Sequence, residues 1–400
     1  MTRSVGIVAE YNPFHNGHKY LLEKAREVAD TEGTVISVMS GDFVQRGEPA
    51  MLNKHARAEA ACRSGVNIVA ELPLPWSLMS AEGFAAGGVG ILDALGVNTL
   101  AFGAESDNIT ELESLSRILL DSETDVAIAR ILSEKPEKSY AAARLDAVNA
   151  LCGKGELLSS PNNILAVEYI KAVLKNSLDM NLFSVERTGA GHDSMTGSDA
   201  IRSASFVRDS ISSGDICDDY VTEESLEVLN REIRSGRAPV TMKSLEQALM
   251  SRLRMLSSED YERLPDSRGG AGMRLYSAVK SCGDLGDVLS FATTNRYPTS
   301  RMRRMIMFAA LGIDSELCAG SPPYIRILAA DARGREYLRK NAEIIKKPLV
   351  TKPASVKTLG EECLRVFETG ASARDLYVLG YSPEADRKPG SDYRTSPFML

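Results

Sequence analysis

Histidine and tryptophan are scarce in this chain, with four histidines and one tryptophan in 400 residues. No apolar run approaches the ~20 residues that a membrane-spanning helix needs, so no segment reads as a transmembrane span. The opening MTRSVGIVAEYNPF turns polar too soon for a signal peptide. Six cysteines (Cys62, Cys152, Cys217, Cys282, Cys318, Cys363) are scattered without paired spacing. They read as reduced thiols in a cytoplasmic protein rather than a disulfide framework. Positive charge is also in deficit, 47 Lys and Arg against 54 Asp and Glu, for a net charge of −7. That argues against bulk electrostatic binding to nucleic acid and leaves room for a local basic patch. What is abundant is apolar surface: 44% hydrophobic residues are enough for large cores, and the length suggests two or three domains.

Two of the four histidines stand three apart, His15 and His18 in NPFHNGHKYLL. An apolar run, Val5 to Tyr11, precedes them and an amphipathic one, Leu21 to Val28, follows. That order predicts a strand, a tight turn and a helix N-terminus. Free N–H groups and the positive dipole end make such a corner a natural phosphate site. Asn16 reads as the helix cap, and Gly17 has no side chain to hold a ligand off the backbone. The imidazoles can donate hydrogen bonds to charge developing on a phosphate. No other cluster completes a zinc tetrahedron around them, so no metal site is assigned.

The first half alternates strand and helix. Strands are expected at Val5–Tyr11, Thr34–Met39, Asn67–Leu72, Thr99–Gly103 and Leu182–Arg187. Helices are expected at Gly17–Asp30, Asn53–Ser64, Ser80–Leu95, Thr110–Ser122 and Asn162–Asn176. This is the pattern of an α/β parallel sheet covered by helices, which binds ligands beyond the carboxyl ends of its strands. From about Ser203 the character changes. Ile211–Glu227 reads as acidic and solvated. Helical patterns follow at Ser244–Leu256, Ala271–Ser281, Leu285–Thr293, Ser300–Leu311 and Arg326–Asn341. Lys347–Thr351 reads as extended, and the residues from Ser382 on read as a loose tail.

A second signal is TGSDAIRSAS, Thr196–Ser205. Ser198 reads as an N-cap, and Arg202 stands one turn into the helix that follows. Hydroxyl, N–H groups and guanidinium together make another anion site. Two helix N-termini, two histidines and an arginine suit a triphosphate, whose reactions need positioning and charge stabilisation above all.

HNGH resembles the HxGH motif of the nucleotidylyltransferase superfamily, and TGSDAIR resembles that superfamily's serine-rich phosphate motif. The resemblance narrows with EYNPFHNGHKYLL, MSGDFVQRGEPA, ELPLPWS, FGAES, SPNNILAVEYI, ERTGAGHDS, NRYPTSRMRRMIMFAALGI and PPYIRILAAD. Together these resemble the bacterial tRNA(Met) cytidine acetate ligase family, from Val5 to about Thr351. The resemblance implies a Rossmann-like nucleotidyltransferase sheet in residues 1–210 and a mostly α-helical, tRNA-binding region in 211–400. It implies activation of acetate by ATP, with Mg2+, to acetyl-adenylate. Acetyl transfer to N4 of the wobble cytidine of elongator tRNA(Met) would follow. No membrane or DNA partner is implied.

His15 and His18 are then the catalytic pair. The implied ATP site runs from Val8 through Ala9, Glu10, Tyr11, Asn12, Pro13 and Phe14 to His15. It continues through Asn16, Gly17, His18, Lys19 and Tyr20 to Leu21. Gly103, Asn162 and Arg187 complete it, with Ser198 and Arg202 as the second phosphate site. The alternative is a small-molecule nucleotidylyltransferase making a cofactor precursor, which would use the same ATP site.

Other residues carry two readings each. Asp42, Gln45, Arg46, Lys54 and Arg57 line either the acetate or tRNA entrance or a solvated loop and helix face. His55 reads as a surface histidine. His192, in the loop after Arg187, belongs either to the site or to the loop alone. Four arginines (Arg296, Arg301, Arg303, Arg304) with Tyr297 form one basic stretch. Tyr324–Lys357 forms another, with nine Lys or Arg against three Asp or Glu. Both can track tRNA phosphates, with tyrosines for stacking.

Overall fold

In the computed structural model the described residues are 3–106, 108–187, 204–213 and 218–400. The strands of the first half are β1 (Ser4–Ala9), β2 (Thr34–Ser40), a small hairpin β3 (Phe43–Val44) and β4 (Glu48–Pro49), β5 (Ile68–Leu72), β6 (Thr99–Ala104) and β7 (Asn181–Glu186). Five of them line up as β5-β2-β1-β6-β7, every neighbouring pair parallel. The order reverses between β1 and β6. A crevice opens at such a reversal beyond the carboxyl ends of the strands, and both HNGH and Gly103 lie there.

Helices alternate with these strands: α1 (Asn16–Ala29), α2 (Lys54–Arg63), α3 (Ala81–Ala94), α4 (Ile109–Leu120), α5 (Ser122–Glu134), α6 (Tyr140–Cys152) and α7 (Pro161–Lys175). Successive strand side chains point to opposite faces. Val5, Ile7, Val35, Val69 and Ala101 therefore share one core with Leu22 and Ala25 of α1 and Ala58 and Ala61 of α2. Ile36, Val38, Ile68, Leu100 and Phe102 share the other with Val89 and Leu92 of α3 and Val167 and Ile170 of α7.

The second half is mostly helical, as expected: α8 (Ala204–Ser213), α9 (Glu223–Arg234), α10 (Glu246–Met255), α11 (Ser258–Glu262), α12 (Ala271–Ser281), α13 (Leu285–Ala292), α14 (Thr299–Leu311), α15 (Ala332–Lys340) and α16 (Glu361–Tyr377). Three expectations fail within it. Arg326–Asn341 is not one helix. Ile325–Ala330 is a fully buried strand, β8, antiparallel to β5, and Asp331 caps α15 by accepting from the Gly334 N–H at 2.7 Å. A short apolar run buried on both faces has no periodicity that separates strand from helix. Ile211–Glu227 is not simply solvated. Ile211 and Val221 are buried with Val207, Val228, Leu229, Met51 and Leu52; the acidic composition hides an apolar spacing. Nor is the segment from Ser382 a loose tail. β10 (Phe398–Met399) pairs with β8, which also pairs with β9 (Leu349–Val350), inside the expected extended stretch. Asp392 is 1% exposed.

Candidate active site

β1 stops at Ala9 and α1 starts at Asn16, which sets the HNGH turn over the end of the central strand. The cap of α1 is His15, not Asn16. His15 Nδ1 accepts from the Gly17 N–H at 3.0 Å, and His18 Nδ1 accepts from the His15 N–H at 3.3 Å. This is the reciprocal capping box usually made by Ser or Thr with Glu or Gln, built here from two imidazoles three residues apart. Asn16 instead donates through Nδ2 to the Asp219 carbonyl at 2.8 Å. The imidazoles stack with centroids 3.8 Å apart and planes 29° apart. The Tyr11 ring stands edge-on to His18 at 4.9 Å, and its hydroxyl lies 2.6 Å from Ser37 Oγ.

A ring nitrogen that accepts a hydrogen bond carries no proton. Each neutral ring therefore holds its proton on Nε2. No described residue accepts from either Nε2. Burial pushes the His15 pKa down to about 3, helped by the charges of Arg187 and Arg208. His18 is held well below the usual histidine range by burial, then by His15 and Arg187. Both rings are neutral at pH 7.

Gly103, Asn162 and Arg187 meet on the β6 side of the turn. A Cβ on Gly103 would lie 3.2 Å from Arg187 Cγ, so glycine here lets the arginine stem cross the end of β6. Arg187 Nη1 donates to Asn162 Oδ1 at 3.3 Å. Asn162 is the second residue of α7 and not its cap, which is Ser160. Sequence reasoning missed what holds the group together. Glu105 accepts from Ser160 Oγ at 3.0 Å, from Asn162 Nδ2 at 2.5 Å and from the Asn163 N–H at 2.9 Å. The FGAES motif had marked the place but not the role.

On the β2 side stands Arg208, also missed. Its Nη1 donates to the Asn12 carbonyl at 3.2 Å. Arg208 Nη2 and Arg46 Nη1 both donate to Ser205 Oγ, at 3.2 and 3.1 Å. Glu48 approaches Arg208 only to 3.8 Å. The Glu10 carboxyl lies near both arginines, its pKa raised chiefly by burial. The rest of the expected ATP stretch divides. Val8 and Ala9 belong to the strand, Phe14 is buried, and Tyr20 and Leu21 lie on α1. Lys19 turns away to donate to the Ser64 carbonyl at 3.0 Å. Asn12 and Pro13 form the turn between Tyr11 and the histidines, with a cis peptide bond between them.

Ser198, Arg202 and His192 lie outside the described residues. Four other residues prove structural. Lys54 and Arg57 are fully buried rather than at an entrance or in solvent. Lys54 Nζ lies 2.8 Å from both Glu71 and Asp392, and Arg326 lies 2.8 Å from Asp392 and 3.2 Å from Glu71. Arg57 donates to the carbonyls of Leu52 (2.9 Å), Glu10 (2.6 Å) and Gly41. His55 is no surface residue: its ring is largely buried, 3.6 Å from Asp392. Asp42 pairs with Arg374 at 3.2 Å. Of that loop Gln45, Arg46 and Glu48 reach solvent.

The basic stretches are narrower than their composition suggests. Arg301 donates to the carbonyls of Asp266 and Arg268, and Arg304 pairs with Asp266 at 2.8 Å. Tyr297, Tyr324 and Tyr337 are buried, so they offer no stacking platform. Arg296 and Arg303 remain at the surface. Gly47, at φ 76°, packs against the backbone of Arg303 and Arg304, which sets α14 beside the β3–β4 hairpin near the site. In the second stretch Arg326 is buried. Arg333, Arg335, Arg339 and Lys340 lie on α15, near Gly33 and Asn67 at the amino ends of β2 and β5, the end away from the histidines.

The model of the HIGH nucleotidyl transferase family matches residues 2–392. The chain belongs to this family. Within it, the tRNA(Met) cytidine acetate ligase of Syntrophomonas wolfei is 34% identical over 411 residues, covering 98% of each chain. That of Thermosipho melanesiensis is 32% identical over 414 residues, covering 98% of this chain and 97% of its own. Among solved structures, Thermotoga maritima TmcAL, both apo and bound with alpha-thio ATP, has a TM-score of 0.92 at 31% identity. The match covers 100% of this chain and 99% of that one.

Proposed function

We propose that this member of the HIGH nucleotidyl transferase family is an ATP-dependent ligase. It makes acetyl-adenylate from acetate and ATP and passes the acetyl group to N4 of the wobble cytidine of elongator tRNA(Met). The observation that carries the reading is the stacked His15–His18 pair, neutral and with neither Nε2–H taken up by a described residue, at the switch point of the sheet. An acetate oxygen attacks the α-phosphorus, and the bond to pyrophosphate breaks as the new P–O bond forms. Charge gathers on the remaining α-phosphate oxygens, where the two Nε2–H donors meet it. Cytidine N4 then attacks the acetyl carbon, AMP departs with the C–O electron pair, and N4 gives up a proton. Gly103, Asn162 and Arg187 would hold the nucleotide, and Ser198 and Arg202 further phosphate oxygens.

Magnesium accompanies ATP in this reading. Among the described residues no three histidine, thiol or carboxylate side chains converge to cage an ion. Mg2+ would therefore ride on the triphosphate, and no step above runs through it. Residues 1–210 would carry the adenylate chemistry, and the helical region after them would meet the tRNA, with Arg296 and Arg303 nearest the site. A cytoplasmic setting agrees with the free cysteines Cys62, Cys152, Cys282, Cys318 and Cys363. No described helix is long and apolar enough to cross a membrane.

The test is incubation with radiolabelled acetate, ATP and magnesium, with and without bacterial tRNA. Label enters tRNA only when ATP is present. Absence of label from every tRNA supplied, with pyrophosphate still released on addition of a small acceptor, points to a small-molecule nucleotidylyltransferase instead.

A further inference from the structure

The β2 flank of the histidine turn brings two arginines together beside the site. Arg46 and Arg208 come from separate elements, the β3–β4 hairpin and α8. Both donate to a single oxygen, Ser205 Oγ, at 3.1 and 3.2 Å. Two guanidinium groups converging on one neutral oxygen repel each other unless an anion joins them. Glu48 offsets this only in part: it pairs at 3.8 Å with Arg208 and at 3.8 Å with Arg303, with no hydrogen bond to either among the described residues. Asn12 lies beneath them. It is 2% exposed, and its Oδ1 accepts from the Met51 N–H at 2.9 Å. Its Nδ2 has no partner among the described residues. An orphaned buried donor is costly unless a ligand takes it up. Behind the corner Met51 and Val207 pack in one apolar cluster.

We infer that Arg46, Arg208 and the Asn12 amide form the acetate subsite. They take the carboxylate. This rests on the reading of the chain as an acetate-activating ligase. The topology supports the assignment. Gly103, Asn162 and Arg187 occupy the β6 flank of the turn, and Arg46 and Arg208 occupy the β2 flank. In-line displacement at phosphorus requires nucleophile and leaving group on opposite sides, so the acceptor and the pyrophosphate cannot share a flank. Charge supports it too. Glu10 and Glu48 border the arginine pair. They tolerate a monoanion between the guanidinium groups and oppose a triphosphate there.

The test is acetate, ATP and tRNA titrations of tRNA labelling by the full-length wild type and the variants Arg46→Gln and Arg208→Lys. Arg46 is exposed, so Arg46→Gln keeps the test open if the Arg208 variant folds poorly; thermal melts report on both. The apparent KM for acetate is expected to rise about tenfold or more, the scale of one lost charge-assisted hydrogen bond. The KM values for ATP and tRNA should stay within about twofold, since their phosphates bind elsewhere. An unchanged acetate KM overturns the subsite. So does a rise in the ATP KM of equal size, which marks a phosphate site, or a rise confined to the tRNA KM. If the wild type shows no acetate-dependent labelling at all, the ligase reading falls and the subsite falls with it.

Discussion

At the scale of single residues, the histidine pair has two tasks that can be separated. Nδ1 of each ring holds the helix start, and in the proposed reading Nε2 of each ring meets the α-phosphate. His18→Asn offers a short amide oxygen near the Nδ1 position and nothing at Nε2. It is expected to cost on the order of 1 kcal/mol of stability but about 10²–10³ in kcat. Urea unfolding and acetate-dependent tRNA labelling read the two effects. The depressed pKa values also fix a pH dependence. An unfolded chain protonates these rings near 6.5, whereas the folded protein resists down to about 3 at His15. Across that window the unfolded state binds more protons, so these groups withdraw stability as pH falls. Between pH 8 and 5 neither ring should titrate in the ligand-free protein, which imidazole ¹⁵N shifts would show directly. A midpoint near 6.5 for either would contradict the burial that the stacking implies.

Among the elements, the best-read segments were those with a clear period and a matching cap. α2 begins after Asn53, whose side chain accepts from the Ala56 N–H at 3.0 Å. Asn53→Ala should cost about 1 kcal/mol, measured by chemical denaturation. β1, β2, β5, β6 and β7 were all legible from apolar runs bounded by Gly and polar residues. β8 was not, because IRILAA carries apolar residues on both faces and an arginine that seeks a partner beyond its own neighbourhood. The strand–turn–helix corner at HNGH was legible from spacing alone, but the capping role of His15 was not, since imidazoles rarely make that box. Gly103 lets the Arg187 stem cross the end of β6, where the proposed reading puts the nucleotide. Gly103→Ala would press on the Arg187 stem at 3.2 Å. The ATP KM is expected to rise several-fold while the melting temperature moves by no more than a few degrees. An unaltered ATP KM would remove Arg187 from the nucleotide side.

For the molecule as a whole, composition misled most where charge is buried. Lys54, Glu71, Arg326 and Asp392 look like surface residues in the sequence, yet all are 5% exposed or less. Their partners lie far away along the chain, so no local pattern announces them. Against burial, which pushes it up, the charges of Lys54 and Arg326 hold the Asp392 carboxyl well below the usual carboxylate range. Removing one member of such a network leaves charges unpaired in the interior, at a cost of about 3–5 kcal/mol. Asp392→Ala should show that loss in urea unfolding. Deleting residues 391–400 should do the same and also bare the edge of β8. The edge strand would then be open to pairing with other chains, visible as concentration-dependent aggregation.

The Lys54–Asp392 pair spans 338 positions. On the ribosome, the β5 edge and the Lys54–Glu71 pair exist for most of translation before Asp392 has been made. At ~5–20 residues per second, that interval is roughly 20–70 seconds. The nascent chain therefore waits with an unfinished sheet, a state that invites chaperone binding. Closure of the sheet becomes a late event rather than a domain-by-domain one.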